Sequence, residues 1–203
     1  MIPSTLQTLA QCFAKYPGVG PRQAQRYALF TLKQSPEERE EIIQTLQALQ
    51  HINLCSACFL PKHQQDKNCI VCSQKERKEN IICIVEKETD LMNIEKTHTY
   101  SGTYIILGGN ISPLRSGTTT PKKRIVALLK RLDSLPQEQN KEIILALNNT
   151  REGNFTTLYI QEIFKKKTIP NLTITTLGRG LASGNELEYA DEDTVRNAFE
   201  GRR

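Results

Sequence analysis

No stretch of this 203-residue sequence approaches the roughly 20 consecutive apolar residues that a bilayer-spanning helix requires. The first residues, MIPSTLQTLAQCFAKYPG, also lack a basic leader followed by an unbroken apolar segment. No secretory signal is evident, and a cytoplasmic protein without membrane association is expected. Residues 1–36 contain no acid, although Lys15, Arg22, Arg26 and Lys33 all fall there. A region of one sign suits a polyanion, or it is a solvated helical surface; charge alone leaves both open.

What is present is a globular composition, 38% hydrophobic and 24% charged, in a chain long enough to bury a core. The net charge of +5 is modest, and the acidic stretch NELEYADEDT near the other end makes it asymmetric. Leu6, Leu9, Ala10 and Phe13 recur at helical spacing before YPGVGP breaks the pattern. A second helix is predicted from Pro21, with Ala24, Tyr27, Ala28 and Leu32 on one side, and a third from an N-cap at Ser35. From residue 80 the texture changes to four strand-like runs: IICIV (81–85), TYIIL (103–107), IILAL (143–147) and LTITTL (172–177). Helices are predicted between them near 88–96, 121–132 and 155–166. That alternation implies parallel strands joined by right-handed crossovers, with helices covering the sheet.

Six cysteines in a cytoplasmic protein point to metal binding or free thiols rather than disulfides. CSACFLPKHQQDKNCIVC places Cys55, Cys58, Cys69 and Cys72 as two CxxC pairs separated by ten residues. Each CxxC turn can aim two thiolates at one ion, and two turns face to face complete a tetrahedron suited to one structural Zn2+. The alternative is two unrelated pairs of buried thiols. His63 lies inside the loop, but four cysteines leave no vacancy for it. Cys12 and Cys83 are expected to be packed side chains.

In YPGVGPRQAQR (16–26), Gly18 and Gly20 flank Val19 between two short helices. The glycines allow unusual backbone angles and close approach, and Val19 can plug the core. Amides opening the second helix form a phosphate site, with Arg22 and Arg26 one helical turn apart beside it. This arrangement resembles the helix-hairpin-helix motif, which grips DNA backbone without reading sequence. A purely structural turn is the plainer alternative.

The segment from residue 80 resembles a Toprim domain, the metal-binding fold of topoisomerases, primases and some nucleases. That family has a Glu after its first strand and a DxD pair after a later one. IVEKETD puts Glu86 in the first position, while NNTREG aligns with the second, leaving Asn148 and Thr150 where the two Asp residues belong. Magnesium at phosphoryl-transfer sites is held by carboxylates, so two neutral substitutes weaken metal retention severely. The strand-to-loop stretch IILALNNTREGN is expected to be a relic of catalysis, with no catalytic residues. Glu86, Asp90 and Glu152 form either an acidic patch for a basic partner or ordinary solvent-facing acids.

Helix-hairpin-helix, four-cysteine module, degenerate Toprim and the tail RGLASGNELEYADEDTV in one order resemble the bacterial RecR family of recombination mediators across nearly the whole chain. PGVGPRQAQR, CSAC and CIVC, LGGNISPL, TREGNFTTLYI and GNELEYAD carry the likeness, and segment 115–123 departs from it. The resemblance implies an α+β multi-module fold. Its parts are a helix-hairpin-helix DNA-binding region (1–54), a four-cysteine zinc finger (55–78), an α/β Toprim domain with a parallel-type sheet (79–170) and a C-terminal strand, glycine-containing segment and helix (171–203). It implies a non-enzymatic homo-oligomer, a dimer or tetrameric ring, that clamps double-stranded, gapped or single-stranded DNA. Partnership with RecO and RecF in loading RecA onto SSB-coated single strands follows from the same likeness. So do DNA contacts by Arg22 and Arg26 beside Gly18 and Gly20, zinc on the four cysteines, and a part for Glu86 and Asp90 in docking RecO. The family's tail is likened to a Walker B segment, but no GxxxxGK[ST] loop occurs here, so ATP hydrolysis is not expected. A metal-dependent Toprim nuclease or primase is the alternative activity.

Overall fold

A computed structural model describes residues 2–113, 119–181, 184 and 186–202. Leu114 of LGGNISPL, positions 115–118 of the divergent segment and Asn185 of GNELEYAD lie outside the described residues. The chain forms two compact units, Met1–Ile52 and Asn53–Arg203.

The first unit is helical. Helix α1 (Ser4–Phe13) packs on α2 (Pro21–Lys33), whose buried residues are Ala24 and Ala28. Two alanines one turn apart let the helix axes approach closely but bury little apolar area. The edge-on contact of Phe13 with Tyr27, centroids 5.7 Å apart, adds to the seam. Tyr27 and Leu32 flank the alanines on the side that the spacing predicts, but remain 41% and 55% exposed. The seam is simply narrower than the apolar stripe. Helix α3 (Pro36–Ala48) opens with a capping box: Glu38 N donates to Ser35 Oγ at 3.2 Å and Ser35 N to Glu38 Oε2 at 2.8 Å.

A two-stranded ribbon follows, of β1 (Ile52–Leu54), whose first residue ends the first unit, and β2 (Pro61–His63). A four-stranded sheet follows, built from β3 (Lys78–Val85), β4 (Gly102–Ile106), β5 (Lys141–Ala146) and β6 (Leu172–Thr176). All its neighbours are parallel, in the order β4-β3-β5-β6. Strand residues alternate between faces, and here each face has its own core. Ile82 and Ile84, Ile105 and Leu107, and Ile143 and Leu145 point to one side, where α5 (Thr120–Asp133) and α6 (Arg151–Lys167) bring Ile125, Leu128, Ile160 and Phe164. Cys83 and Val85, Tyr104 and Ile106, and Ala146 point to the other, against Leu91 of α4 (Glu88–Glu95) and Cys55, Leu60 and Val71 of the cysteine segment. Burial of each such Leu, Ile or Val is worth about 1.5–3 kcal/mol. Near-continuous apolar strands follow from burial on both faces. Helix α7 (Glu192–Glu200) closes the chain.

Candidate nucleic-acid interface and metal centre

The turn between α1 and α2 uses its two glycines differently. Gly18 lies at φ +77°, where any side chain would be strained, whereas Gly20 lies at an ordinary φ of −79°. The expectation of unusual backbone angles holds for Gly18 and fails for Gly20. Gly20 is instead the N-cap of α2, and no side chain caps this end. Its carbonyl accepts the first helical bond from Ala24 N at 2.9 Å. Pro21 has no amide proton to offer, which leaves the amides of Arg22 and Gln23 as the outward donors at the positive end of the helix dipole. Arg22 and Arg26 are exposed, and neither enters an ion pair among the described residues. Val19 is half-buried.

The four cysteines of the two CxxC turns converge. Their sulfurs all lie within 4.8 Å of one another, with Cys58 Sγ 3.4 Å from Cys69 Sγ. Bonds of about 2.3 Å in a tetrahedron place sulfurs about 3.8 Å apart, so the donor set fits one tetrahedral dication. Local backbone bonds shape the turns. Phe59 N donates to Cys55 O at 2.8 Å and Ser73 N to Cys69 O at 3.0 Å, while Phe59 takes a positive φ of 68°. Cys58 is pushed up chiefly by its hydrogen bond to Cys69, and Cys69 is pushed down by hydrogen bonds from the Cys58 and Cys72 thiols. Four thiols this close cannot all ionise unless a cation balances them. His63 is exposed on β2 and stands apart from the cluster. Cys83 is buried as expected, whereas Cys12, also expected to be packed, is exposed on α1.

The cysteine segment also covers an open sheet edge. Strand β4 is an edge strand, and Ile106 N donates to Cys58 O at 3.0 Å. Two arginines of α5 tie the same region down. Arg124 stacks over the Phe59 ring at 4.7 Å and donates through Nη1 to Ile106 O at 2.8 Å. Arg131 Nη2 donates to Thr103 Oγ1 at 2.7 Å, and its Nη1 reaches Ala57 O at 3.4 Å. On the other side of β4, Arg77 pairs with Glu95, whose second oxygen accepts from Tyr104 Oη at 2.6 Å. Arg77, Glu95, Tyr104, Arg124 and Arg131 are not singled out by any sequence motif. The seven-residue spacing of Arg124 and Arg131, within an otherwise apolar helical face, is the signal that could have found the arginines.

At the carboxyl ends of the strands, Glu86 follows β3 and Asn148 follows β5. Asn148 Nδ2 donates to Glu86 Oε2 at 2.9 Å. A carboxylate only accepts, so the amide nitrogen must be the atom that faces it. Glu86 is 7% exposed, and its backbone carbonyl accepts from Gly108 N at 2.9 Å. This corrects the expectation of Glu86 in a surface acidic patch, because the residue is buried and already partnered. Asp90 is half-buried, and its Oδ2 accepts from Lys87 N at 3.0 Å to cap α4. Glu152 alone of the three is well exposed.

The helix after β5 was expected near residue 155 and starts at Arg151. Thr150 is its N-cap, with Oγ1 accepting from Gly153 N at 3.1 Å. TREG is therefore a helix start, and only four residues, Leu147 to Thr150, link strand to helix. A Cβ at Gly153 would sit 2.0 Å from Asn148 O, so only glycine fits. Asn149 Oδ1 accepts from Asn154 Nδ2 at 3.1 Å, and Arg179 Nη2 reaches Asn154 Oδ1 at 2.9 Å. The Asn148 amide at 2.9 Å and the Lys87 ammonium at 3.6 Å both face the Glu86 carboxylate, so the strand ends present donors where a hard cation needs oxygen acceptors.

Three family models match the chain in succession. One described as RecR, helix-hairpin-helix covers residues 6–49, one described as Toprim domain covers 80–177, and one described as RecR, C-terminal covers 180–203. The Recombination protein RecR of Trichormus variabilis is 41% identical over 190 residues, 93% of this chain and 97% of that one. The protein of the same name from Chloroherpeton thalassium is 36% identical over 199 residues, covering 97% and 95%. That of a Synechococcus strain is 40% identical over 199 residues, covering 98% and 88%.

Proposed function

Because the chain belongs to the RecR family of recombination proteins, we propose that it is a non-enzymatic, DNA-binding mediator of recombinational repair. The observation that carries the DNA-binding role is the amino end of α2, capped by no side chain of its N-cap glycine and flanked by the exposed Arg22 and Arg26, neither in an ion pair among the described residues. Such a site takes up phosphate oxygens and ignores base identity. Double-stranded and gapped or single-stranded DNA all offer that backbone. The absence of turnover is supported by the Glu86–Asn148 pair, which leaves the Toprim pocket short of metal-binding charge. A Toprim nuclease or primase is the alternative, and the Toprim match over residues 80–177 is the observation on its side.

The four-cysteine cluster holds one structural Zn2+ in this reading, since four soft sulfur donors leave no open position for catalysis. Self-association into a dimer or tetrameric ring is supported by α3, which leaves Ile42, Ile43, Leu46 and neighbouring Leu49 exposed. No helix among the described residues is long and apolar enough to cross a membrane. A cytoplasmic clamp acting with RecO and RecF to load RecA on SSB-coated gaps completes the reading. Glu152 is the acid best placed on the surface to meet a basic partner such as RecO, Asp90 contributes its remaining carboxylate oxygen, and Glu86 acts from behind by holding Asn148.

The decisive experiment is a salt titration of DNA binding. Arg22→Ala with Arg26→Ala should weaken binding to every sequence alike and flatten the log–log salt slope by about 2. Oligomer size should not change. Unaltered affinity would overturn the contact assignment. DNA cleavage or synthesis with magnesium or manganese, abolished by Glu86→Gln, would overturn the non-enzymatic reading.

A further inference from the structure

We infer that α2 carries a base-stacking site for unpaired DNA, with Phe30 as the platform and Lys33 as an additional phosphate contact. The inference rests on the DNA-binding reading above and extends it from backbone contact to a preference for single strands.

On a helix with 3.6 residues per turn, Arg22, Arg26 and Lys33 fall within about 40° of arc and span about 16 Å of axis. That arc lies opposite Ala24 and Ala28, the two residues that α2 buries. Phe30 stands beside it, about 40° from Arg26 and one turn further along the helix. Phe30 is 65% exposed, and its ring makes no contact with another aromatic ring among the described residues. Arg26, Phe30 and Lys33 share one recess with Gln23, Tyr27 and Leu29. An isolated exposed phenylalanine on a protein surface is ordinary. This one is set among three cations, in a 36-residue stretch that contains no acid.

The charge selects a polyanion, and the ring selects among polyanions. In a duplex both faces of each base are occupied by stacking, so Phe30 has nothing to accept. An unpaired base offers a free π-face, and the phosphates on either side of it meet Arg26 and Lys33. Stacking tolerates any base, so the site adds affinity for single strands without adding sequence preference. The aliphatic stem of Lys33 can lie along the ring while its ammonium reaches a phosphate.

The test uses the full chain and fluorescence anisotropy with three probes: a single-stranded oligothymidine, an abasic oligomer of the same length, and a duplex. Phe30→Ala should weaken oligothymidine binding roughly 5- to 150-fold and leave the abasic strand and the duplex unchanged. Phe30→Leu, which keeps an apolar side chain without the π-face, should behave like Phe30→Ala, and Phe30→Tyr should restore binding. Lys33→Ala should weaken all three probes and flatten the salt slope by about 1. Equal loss on oligothymidine and abasic strand in the Phe30 variants would overturn the stacking site. A smaller oligomer in sedimentation for Phe30→Leu would overturn it too, because the ring would then be a contact between copies. If Arg22→Ala with Arg26→Ala weakens binding and Phe30→Leu does not, the inference fails and the DNA-binding reading stands. If none of these variants alters binding, that reading fails as well.

Discussion

Asn148 donates its side-chain amide hydrogen to the carboxylate of Glu86 at 2.9 Å, across 62 positions of sequence. The two strands that carry them, β3 and β5, are neighbours in the sheet, so their carboxyl ends deliver both side chains to one point. Where a second carboxylate would repel Glu86 and call for a cation, the amide satisfies it directly.

That pairing separates two substitutions. Asn148→Ala leaves the nearly buried Glu86 carboxylate with only the Lys87 ammonium, 3.6 Å from Oε1, and a cost of about 1–2 kcal/mol is expected, read as a lower chemical-denaturation midpoint. Glu86→Gln keeps an acceptor in place and should cost under about 1 kcal/mol. A larger loss for Glu86→Gln than for Asn148→Ala would mean that the carboxylate charge does something the amide does not answer.

Gly153 is fixed by the tightness of the turn after β5. Its α-hydrogen sits where a Cβ would come 2.0 Å from Asn148 O. Gly153→Ala must displace the strand-to-helix link, with an expected penalty of about 1–3 kcal/mol. Hydrogen exchange should rise in residues 147–156 before the rest of the sheet is affected. A variant as stable as the parent would show that the turn opens freely.

The cysteine cluster yields a metal and pH prediction. One zinc per chain is expected, and Cys55→Ser should release it and lower the Tm, since structural zinc contributes on the order of 10 kcal/mol to small folded modules. Binding deprotonates thiols, most of all Cys58, which its neighbours push up. Protons therefore compete with the metal: affinity falls as the pH falls and rises as it is raised. Because Cys58 O also holds Ile106 N, chelation should open the β4 edge, seen as faster amide exchange at Ile106 and self-association of the stripped protein. Stoichiometric zinc that survives Cys55→Ser would refute the ligand set.

Cysteine reactivity should divide by burial. Cys12 is exposed, while burial pushes the Cys83 thiol up to about 12. Iodoacetamide on the folded, zinc-loaded protein should modify Cys12 and spare Cys83, as peptide mass mapping would report. Rapid labelling of Cys83 without denaturant would mean that the sheet opens on that face.

Much of the molecule was readable because its signals are local. Strand runs, the Ser35 cap, the glycine-proline turn and the two CxxC turns are each decided within a few residues by backbone sterics or ligand spacing. The errors also have local causes. TREG is polar and reads as loop, yet Thr150 and Gly153 form an N-cap pair, so the helix after β5 begins four residues before the predicted position. Periodicity puts Tyr27 and Leu32 on one side with Ala24 and Ala28, but it reports which residues share a face and not how far a neighbouring helix covers it.

By itself the sequence determined the modules, their order and the chemistry each can support, since sulfur ligands, glycine angles and apolar alternation act at short range. Tertiary structure alone decided that Glu86 is buried against Asn148, that the cysteine segment covers the β4 edge, and that Arg124 and Arg131 anchor it. Those contacts depend on the strand order β4-β3-β5-β6, which sets residues far apart in the chain side by side. Strand order is settled by how whole faces pack, and no short segment carries it.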